Sequence, residues 1–218
     1  MFIVPSTLKA HYKRDGSLEL RINKVLSDTE RFKQITKQVP PFVWHADFVL
    51  PNFAKARNIE PSFDLQTYFD IFTQNYPNSA TFQVHLMGED VDLQESLSYF
   101  QSRHLNPNWN YQILVRPQNF ELWQSIFGVH KNVQIGVWYD LGQWENIEVF
   151  DFNLVLLMTV LAGQSGQSLT EKTVNTALNK LDKNYNTFFI FDGGWPVDNQ
   201  FDHKNLNIVS DTAFWNIF

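Results

Sequence analysis

The chain has 218 residues, 44% of them hydrophobic, with 20 Phe and 7 Trp, no Cys, and a formal net charge of −6. That length fits one large domain or two small ones with ample core, and the missing cysteines exclude disulfides, thiolate nucleophiles and Cys-based metal sites, so any metal must be held by His and carboxylate. The acidic balance argues against nucleic acid, whose binding rests on concentrated Lys and Arg, and for a small-molecule ligand.

Phe2-Ile3-Val4 is a short apolar run stopped by Pro5-Ser6, a first strand and the start of a loop. It lacks a basic n-region, and no apolar run in the chain reaches the ~18 to 20 residues of a membrane span. A soluble cytoplasmic protein without a membrane partner is expected. Lys13 to Ser17 is turn-like, and Leu18, Leu20 and Ile22 alternate with polar residues, which predicts a small strand or hairpin. Ser27 with Glu30 forms a capping-box pattern that opens a helix to about Gln38, ended by Pro40-Pro41. The apolar run Phe42-Val43-Trp44-His45-Ala46-Asp47 follows as the second strand. Strand side chains alternate faces, so His45 and Asp47 point the same way.

Residues 51 to 61 read as a long polar loop, and Leu65, Tyr68, Phe69 and Phe72 predict a helix behind an Asp64 N-cap. Thr81 to Met87 is a third strand, followed by a helix from about Asp90 to Phe100. Tyr111 to Val115 and Gln118 to Phe127 form the fourth unit. Val133 to Trp138 is a fifth strand with a short, weak helix near Leu141 to Ile147. Asn153 to Val160 is the continuous apolar run of a strand buried on both faces. Ser168 with Glu171 predicts a second capping box, with Val174, Ala177, Leu178 and Leu181 as the apolar stripe of its helix. Thr187 to Phe191 and Leu206 to Ser210 are the seventh and eighth strands.

Eight apolar runs separated mostly by helical patterns imply an α/β fold with a parallel sheet. Eight of them favour closure into a single-domain (β/α)8 TIM barrel, whose active-site groups sit at the C-terminal ends of the strands. His45, Asp47, His85 and Asp192 all fall there. Taken singly, each of these histidines reads as a satisfied structural residue and each aspartate as a cap. His11, His104, His130 and His203 sit in polar surroundings and read as surface residues.

Several motifs in the same order resemble the ribulose-phosphate 3-epimerase family over nearly the whole chain. Pro5-Ser6-Thr7-Leu8 is similar to that family's Pro-Ser-Ile-Leu, His45-Ala46-Asp47 to its His-x-Asp, and Val84-His85-Leu86-Met87 to its Val-His-Leu-Met. Leu157 to Val160 with Gly163 and Gly166-Gln167-Ser168 resembles its Met-Thr-Val-x-Pro-Gly-Phe-Gly-Gly-Gln, and Asp192-Gly193-Gly194 its Asp-Gly-Gly. The resemblance implies a ribulose-phosphate-binding type β/α barrel over residues 1 to 218. It implies a divalent metal (zinc, iron, manganese or cobalt suits such a ligand set) on His45, Asp47, His85 and Asp192. Asp47 and Asp192 would also be the acid and base that move the proton at C3 of a ketopentose phosphate, interconverting ribulose 5-phosphate and xylulose 5-phosphate. Ser6, Met87, Met158, Gly163, Gly166, Gln167, Gly193, Gly194, Asp211 and Thr212 are the implied substrate-binding set.

The chain also departs from the family. Asp47 continues as Phe48-Val49-Leu50-Pro51 where the family has Val-Met-Asp-Gly, the glycine-rich loop has become Gly163-Gln164-Ser165-Gly166-Gln167, and Asp211-Thr212 replaces the Gly-Ser that helps seat the phosphate. A phosphate wants close backbone N–H groups and is repelled by a carboxylate. Two alternatives therefore stand beside the first reading: an epimerase acting on another keto-sugar or its phosphate, and a non-catalytic metal- or sugar-binding barrel. Gly193-Gly194 reads equally as a turn. The sequence leaves open whether the protein is a homo-oligomer.

Overall fold

The computed structural model describes residues 2–8, 17–39, 41–62, 64–75, 79–102, 105–164, 166–197 and 203–217. Eight parallel strands alternate with helices in a (β/α)8 barrel: β1 (Phe2–Pro5), β2 (Phe42–Val49), β3 (Ala80–Met87), β4 (Trp109–Val115), β5 (Val133–Tyr139), β6 (Leu154–Met158), β7 (Phe188–Asp192) and β8 (Leu206–Ser210). Each strand from β2 to β7 pairs with the next in sequence, and β8 pairs with β1. The seam between β1 and β2 is a single parallel bridge from Ser6 to His45, reinforced by the Thr7 N–H on the His45 carbonyl at 3.0 Å. Two tethers converge on Ser6: its N–H donates to the Ser210 carbonyl (2.9 Å) and its carbonyl accepts the Trp215 indole N–H (2.6 Å).

Because side chains alternate, each strand sends one set inward and one outward. The inward set, Val4, Val49, Met87, Leu114, Trp138, Leu154, Leu156, Met158, Ile190 and Val209, packs as the barrel's interior. The outward sets meet the helices in two shells. The shell over β2 to β4 is strongly aromatic, with Tyr68, Phe69 and Phe72 against Phe82, Trp109 and Tyr111. The shell over β5 to β8 is built on Phe189, Phe191 and Trp144.

The helices are α1 (Ser17–Ser27), α2 (Thr29–Thr36), α3 (Pro51–Arg57), α4 (Leu65–Asn75), α5 (Asp90–Ser102), α6 (Phe120–Phe127, after a 3-10 turn at Pro117–Asn119), α7 (Glu171–Lys183) and α8 (Thr212–Trp215). They correct the sequence expectation in several places. The hairpin expected at Leu18, Leu20 and Ile22 is helix α1: Leu18, Ile22 and Val25 are buried at helical spacing while Leu20 is exposed. Of the turn expected at Lys13 to Ser17, residues 13 to 16 lie outside the described residues, as do Pro40, His11, His104 and Ser165, and Ser17 opens α1. Helix α2 is capped by Asp28, whose carboxylate accepts the Arg31 N–H, and not by Ser27, which ends α1 with its hydroxyl on the Lys24 carbonyl. Likewise α7 is capped by Thr170 on the Thr173 N–H and not by Ser168. No helix forms at Leu141 to Ile147. That segment is a series of turns, held by the Lys180 ammonium on the Glu145 and Ile147 carbonyls and by Asn184 on Glu148 and Phe150.

The polar stretch after β2 is also not a plain loop, since it contains α3. Leu50 provides no side-chain cap; the buried Asp92 of α5 does so instead. Its carboxylate accepts the N–H groups of Asn52, Phe53 and Glu89 and the Asn52 amide, all at 2.8 to 3.2 Å. Replacing Asp92 with Ala leaves three backbone donors without their acceptor, each costing roughly 1 to 3 kcal/mol if buried. The expected loss is about 3 kcal/mol, read as a lower urea midpoint at unchanged slope.

No helix among the described residues is long and apolar enough to cross a membrane.

Candidate metal centre

Four side chains meet inside the C-terminal mouth of the barrel. His45 and Asp47 sit two residues apart on β2 and face inward together. Asp47 is in register with His85 of β3, and Asp192 closes β7. β2 and β7 approach from either side of the β1–β8 pair. His45 and His85 are fully buried, and Asp47 and Asp192 nearly so.

Asp47 Oδ1 lies 3.3 Å from His45 Nε2 and 3.0 Å from His85 Nδ1; Asp192 Oδ2 lies 3.5 and 3.3 Å from the same two nitrogens. One ligand atom from each of the four residues lies within 4.8 Å of every other. A metal–ligand distance of about 2.1 Å sets neighbouring ligand atoms about 3.0 Å apart at a right angle and about 3.4 Å apart in a tetrahedron. The observed edges have that size. Two of the inward atoms, His45 Nε2 and Asp192 Oδ2, are buried without a hydrogen-bond partner, which atoms aimed at a common centre would be. The cluster can therefore hold a divalent cation; its His2Asp2 chemistry suits zinc, iron, manganese or cobalt alike.

The supporting contacts orient the ligands. Ser6 donates to Asp47 Oδ2 at 2.6 Å and accepts the Leu8 N–H. His45 Nδ1 faces Gln83 Oε1 at 3.2 Å. The Trp138 ring stands edge-on to His85, with centroids 4.7 Å apart. Electrostatics follow from the same geometry. Burial disfavours the charged His45 ring, but Asp47 and Asp192 outweigh it and raise its pKa to about 10. For Asp47, burial works in favour of the neutral acid, and the two histidines reverse this, holding the carboxyl well below the usual carboxylate range.

A cavity of about 320 Å3 opens above the cluster, within the small-molecule range. Asp47, Asp192 and Ser6 line its floor. Of the residues singled out from sequence, Met158, Gly163, Gly166, Gln167, Gly193, Gly194, Asp211 and Thr212 line it too. Met87 does not: it is fully buried in the barrel interior. Gln167 ties its own loop, bonded to both the N–H and the carbonyl of Leu161. Gly193 has φ +104°, and a Cβ there would stand 2.1 Å from Val160, so the turn after β7 accepts only glycine. His130 is exposed, and His203 is half-buried with its Nδ1 accepting the Asn205 N–H.

Sequence reasoning missed Trp195 and Gln83. Trp195 walls the cavity, its indole N–H donating to the Thr159 hydroxyl, which also contacts the carbonyls of Asp192 and Gly193. Its place directly after the Asp-Gly-Gly turn was the available signal. For Gln83 it was an amide on the inward face two residues before His85. No family model matches the sequence, and no curated protein matches it.

Proposed function

We propose that the protein is a metal-dependent 3-epimerase of the ribulose-phosphate type, an isomerase that moves the proton at C3 of a keto-sugar. The observation that carries this reading is that Asp47 and Asp192 reach one buried cluster from different strands and both line the cavity above it. His45, Asp47, His85 and Asp192 would hold the metal. When bound, a divalent ion supplies Lewis-acid stabilisation of negative charge on the substrate oxygens. One carboxylate takes the C3 proton as the C–H electron pair moves into a C2–C3 double bond and the C2 oxygen becomes negative. The other, protonated, returns a proton to the opposite face of C3 as the carbonyl re-forms. Ser6 fixes the plane of Asp47 through Oδ2, and the apolar side chains of Met158 and Val160 limit water.

The test is to incubate the metal-loaded protein with ribulose 5-phosphate in deuterium oxide and follow xylulose 5-phosphate by NMR. Product carrying deuterium at C3 supports the reading; a loaded protein that leaves C3–H intact overturns it.

One observation favours a second substrate, a keto-sugar without a phosphate. The described residues lining the cavity include three carboxylates, Asp47, Asp192 and Asp211, and no Lys, Arg or His. Asp211 lies where the family resemblance implies the phosphate, beside Gly193 and Gly194. Carboxylates accept hydrogen bonds from sugar hydroxyls, whereas a carboxylate near a phosphate costs on the order of 2 kcal/mol at an effective dielectric of about 20. Replacing Asp211 with Gly is expected to lower the KM for ribulose 5-phosphate about tenfold and to raise that for the unphosphorylated ketose. Unchanged KM values for both sugars would remove Asp211 from the choice of substrate.

A further inference from the structure

One rung of the barrel carries a row of amides that begins at the metal centre. His45, Gln83, Gln112 and Gln134 are direct register partners across β2, β3, β4 and β5. In parallel strands such partners stand side by side, so their side chains can bond along the rung. They do so in one direction. His45 Nδ1 meets Gln83 Oε1 at 3.2 Å, Gln83 Nε2 donates to Gln112 Oε1 at 3.2 Å, and Gln112 Nε2 donates to Gln134 Oε1 at 3.3 Å. Burial falls along the row: Gln83 is fully buried, Gln112 half-buried, and Gln134, second residue of β5, exposed.

We propose that Gln83, with its amide polarity set by Gln112 and Gln134, is the residue that fixes the His45 tautomer and presents Nε2 to the metal. An imidazole can offer only its unprotonated nitrogen to a cation. With Gln83 Nε2 committed to Gln112, only its carbonyl oxygen faces His45, and that oxygen only accepts. The hydrogen must therefore sit on Nδ1, which leaves the Nε2 lone pair directed at Asp47 and Asp192. Turning the Gln83 amide over would face His45 with an N–H and place the ring hydrogen on Nε2, the wrong atom. The Gln112 acceptor makes that turn unfavourable. A neutral amide in this position also leaves His45 a weaker electron donor than a carboxylate partner would, so the row sets affinity as well as orientation.

The inference rests on the metal centre and not on the epimerase reading, so loss of turnover does not bear on it. Zinc affinity by competition with a chelating dye is measured alongside 1H–15N spectra of the zinc-loaded protein, in which His45 is neutral, and these report which ring nitrogen of His45 carries hydrogen. Gln83→Leu is expected to weaken zinc about ten- to a hundredfold and mix the tautomers. Gln83→Glu should bind zinc at least as tightly as the unmodified protein, since a carboxylate also accepts from Nδ1 and carries no hydrogen that could impose the other tautomer. Gln112→Leu should give a smaller loss with partial mixing, and it decides the matter if Gln83→Leu does not fold. A residue that merely fills the barrel would lower stability without moving the tautomer. Zinc affinity and tautomer equal to those of the unmodified protein in Gln83→Leu or Gln112→Leu, or a loss in Gln83→Glu matching that in Gln83→Leu, overturns the proposal. An unmodified protein that takes up no zinc overturns the metal centre and this inference together.

Discussion

Asp47→Asn and Asp192→Asn, each reloaded with excess metal, are expected to abolish epimerisation while each still exchanges the C3 proton of one epimer with solvent. Asn keeps the shape and one ligand oxygen but cannot take or give the proton. Loss of a general acid or base costs about 10²- to 10⁴-fold. Inversion needs a group on each face of C3, so one missing carboxylate stops the reaction as completely as two. The remaining carboxylate still removes the proton that faces it and returns a deuteron to the same face. Asp47→Asn should therefore exchange one of the two pentulose phosphates and Asp192→Asn the other. Since both residues belong to the ligand cluster, metal content is measured on the same samples. A loaded variant that epimerises at close to the unmodified rate would remove that aspartate from proton transfer.

The second large effect concerns the histidines and pH. Replacing His45 or His85 by Leu should weaken metal binding by more than the ten- to hundredfold typical of losing an outer partner. Metal and proton also compete for His45. With its pKa raised from 6.5 to about 10 in the metal-free chain, the ring is charged across neutral pH and must lose its proton before it ligates. Affinity should rise about tenfold per pH unit from pH 7 towards 10 on account of this group. One proton should appear in solution for each ion bound, measurable by titration calorimetry in two buffers of different ionisation enthalpy. Fold stability of the metal-free protein moves the other way. The folded value lies above the unfolded one, so this group's contribution is complete below pH 6.5 and is lost as pH rises through 10. Metal uptake at pH 8 that releases no proton would contradict the charged His45.

The elements legible in the sequence are those whose cause is local. The eight strands show as apolar runs, and α4 and α5 as helical stripes, because burial alone shapes them. Helix α3 does not show, because the carboxylate that caps it belongs to Asp92 on another helix. In α1, Leu20 mimics a strand's alternation and only Val25, one turn further on, completes the helical face. After β5 the expected helix is replaced by turns whose carbonyls are satisfied from α7, again at long range. The candidate site divides the same way. His45 and Asp47 announce a shared face by spacing alone, and strand ends bring His85 and Asp192 to them. Gln83 carries no such signal, because its meaning lies in neighbours 38 residues before it and 29 after.

The seam at Ser6 has a consequence for how the molecule is made. The hydroxyl that steadies Asp47 reaches across 41 residues, and the indole that holds the Ser6 carbonyl comes from 209 residues away. A chain emerging from the ribosome carries His45, Asp47 and His85 while Asp192 and Trp215 are still unsynthesised. Three ligands are then present without the fourth, and β1 has no β8 to lie beside. Such long-range closure is slow, since the loop entropy is lost before the contacts repay it. The complete centre thus requires the pairing of β8 with β1, which joins the first strand of the chain to the last.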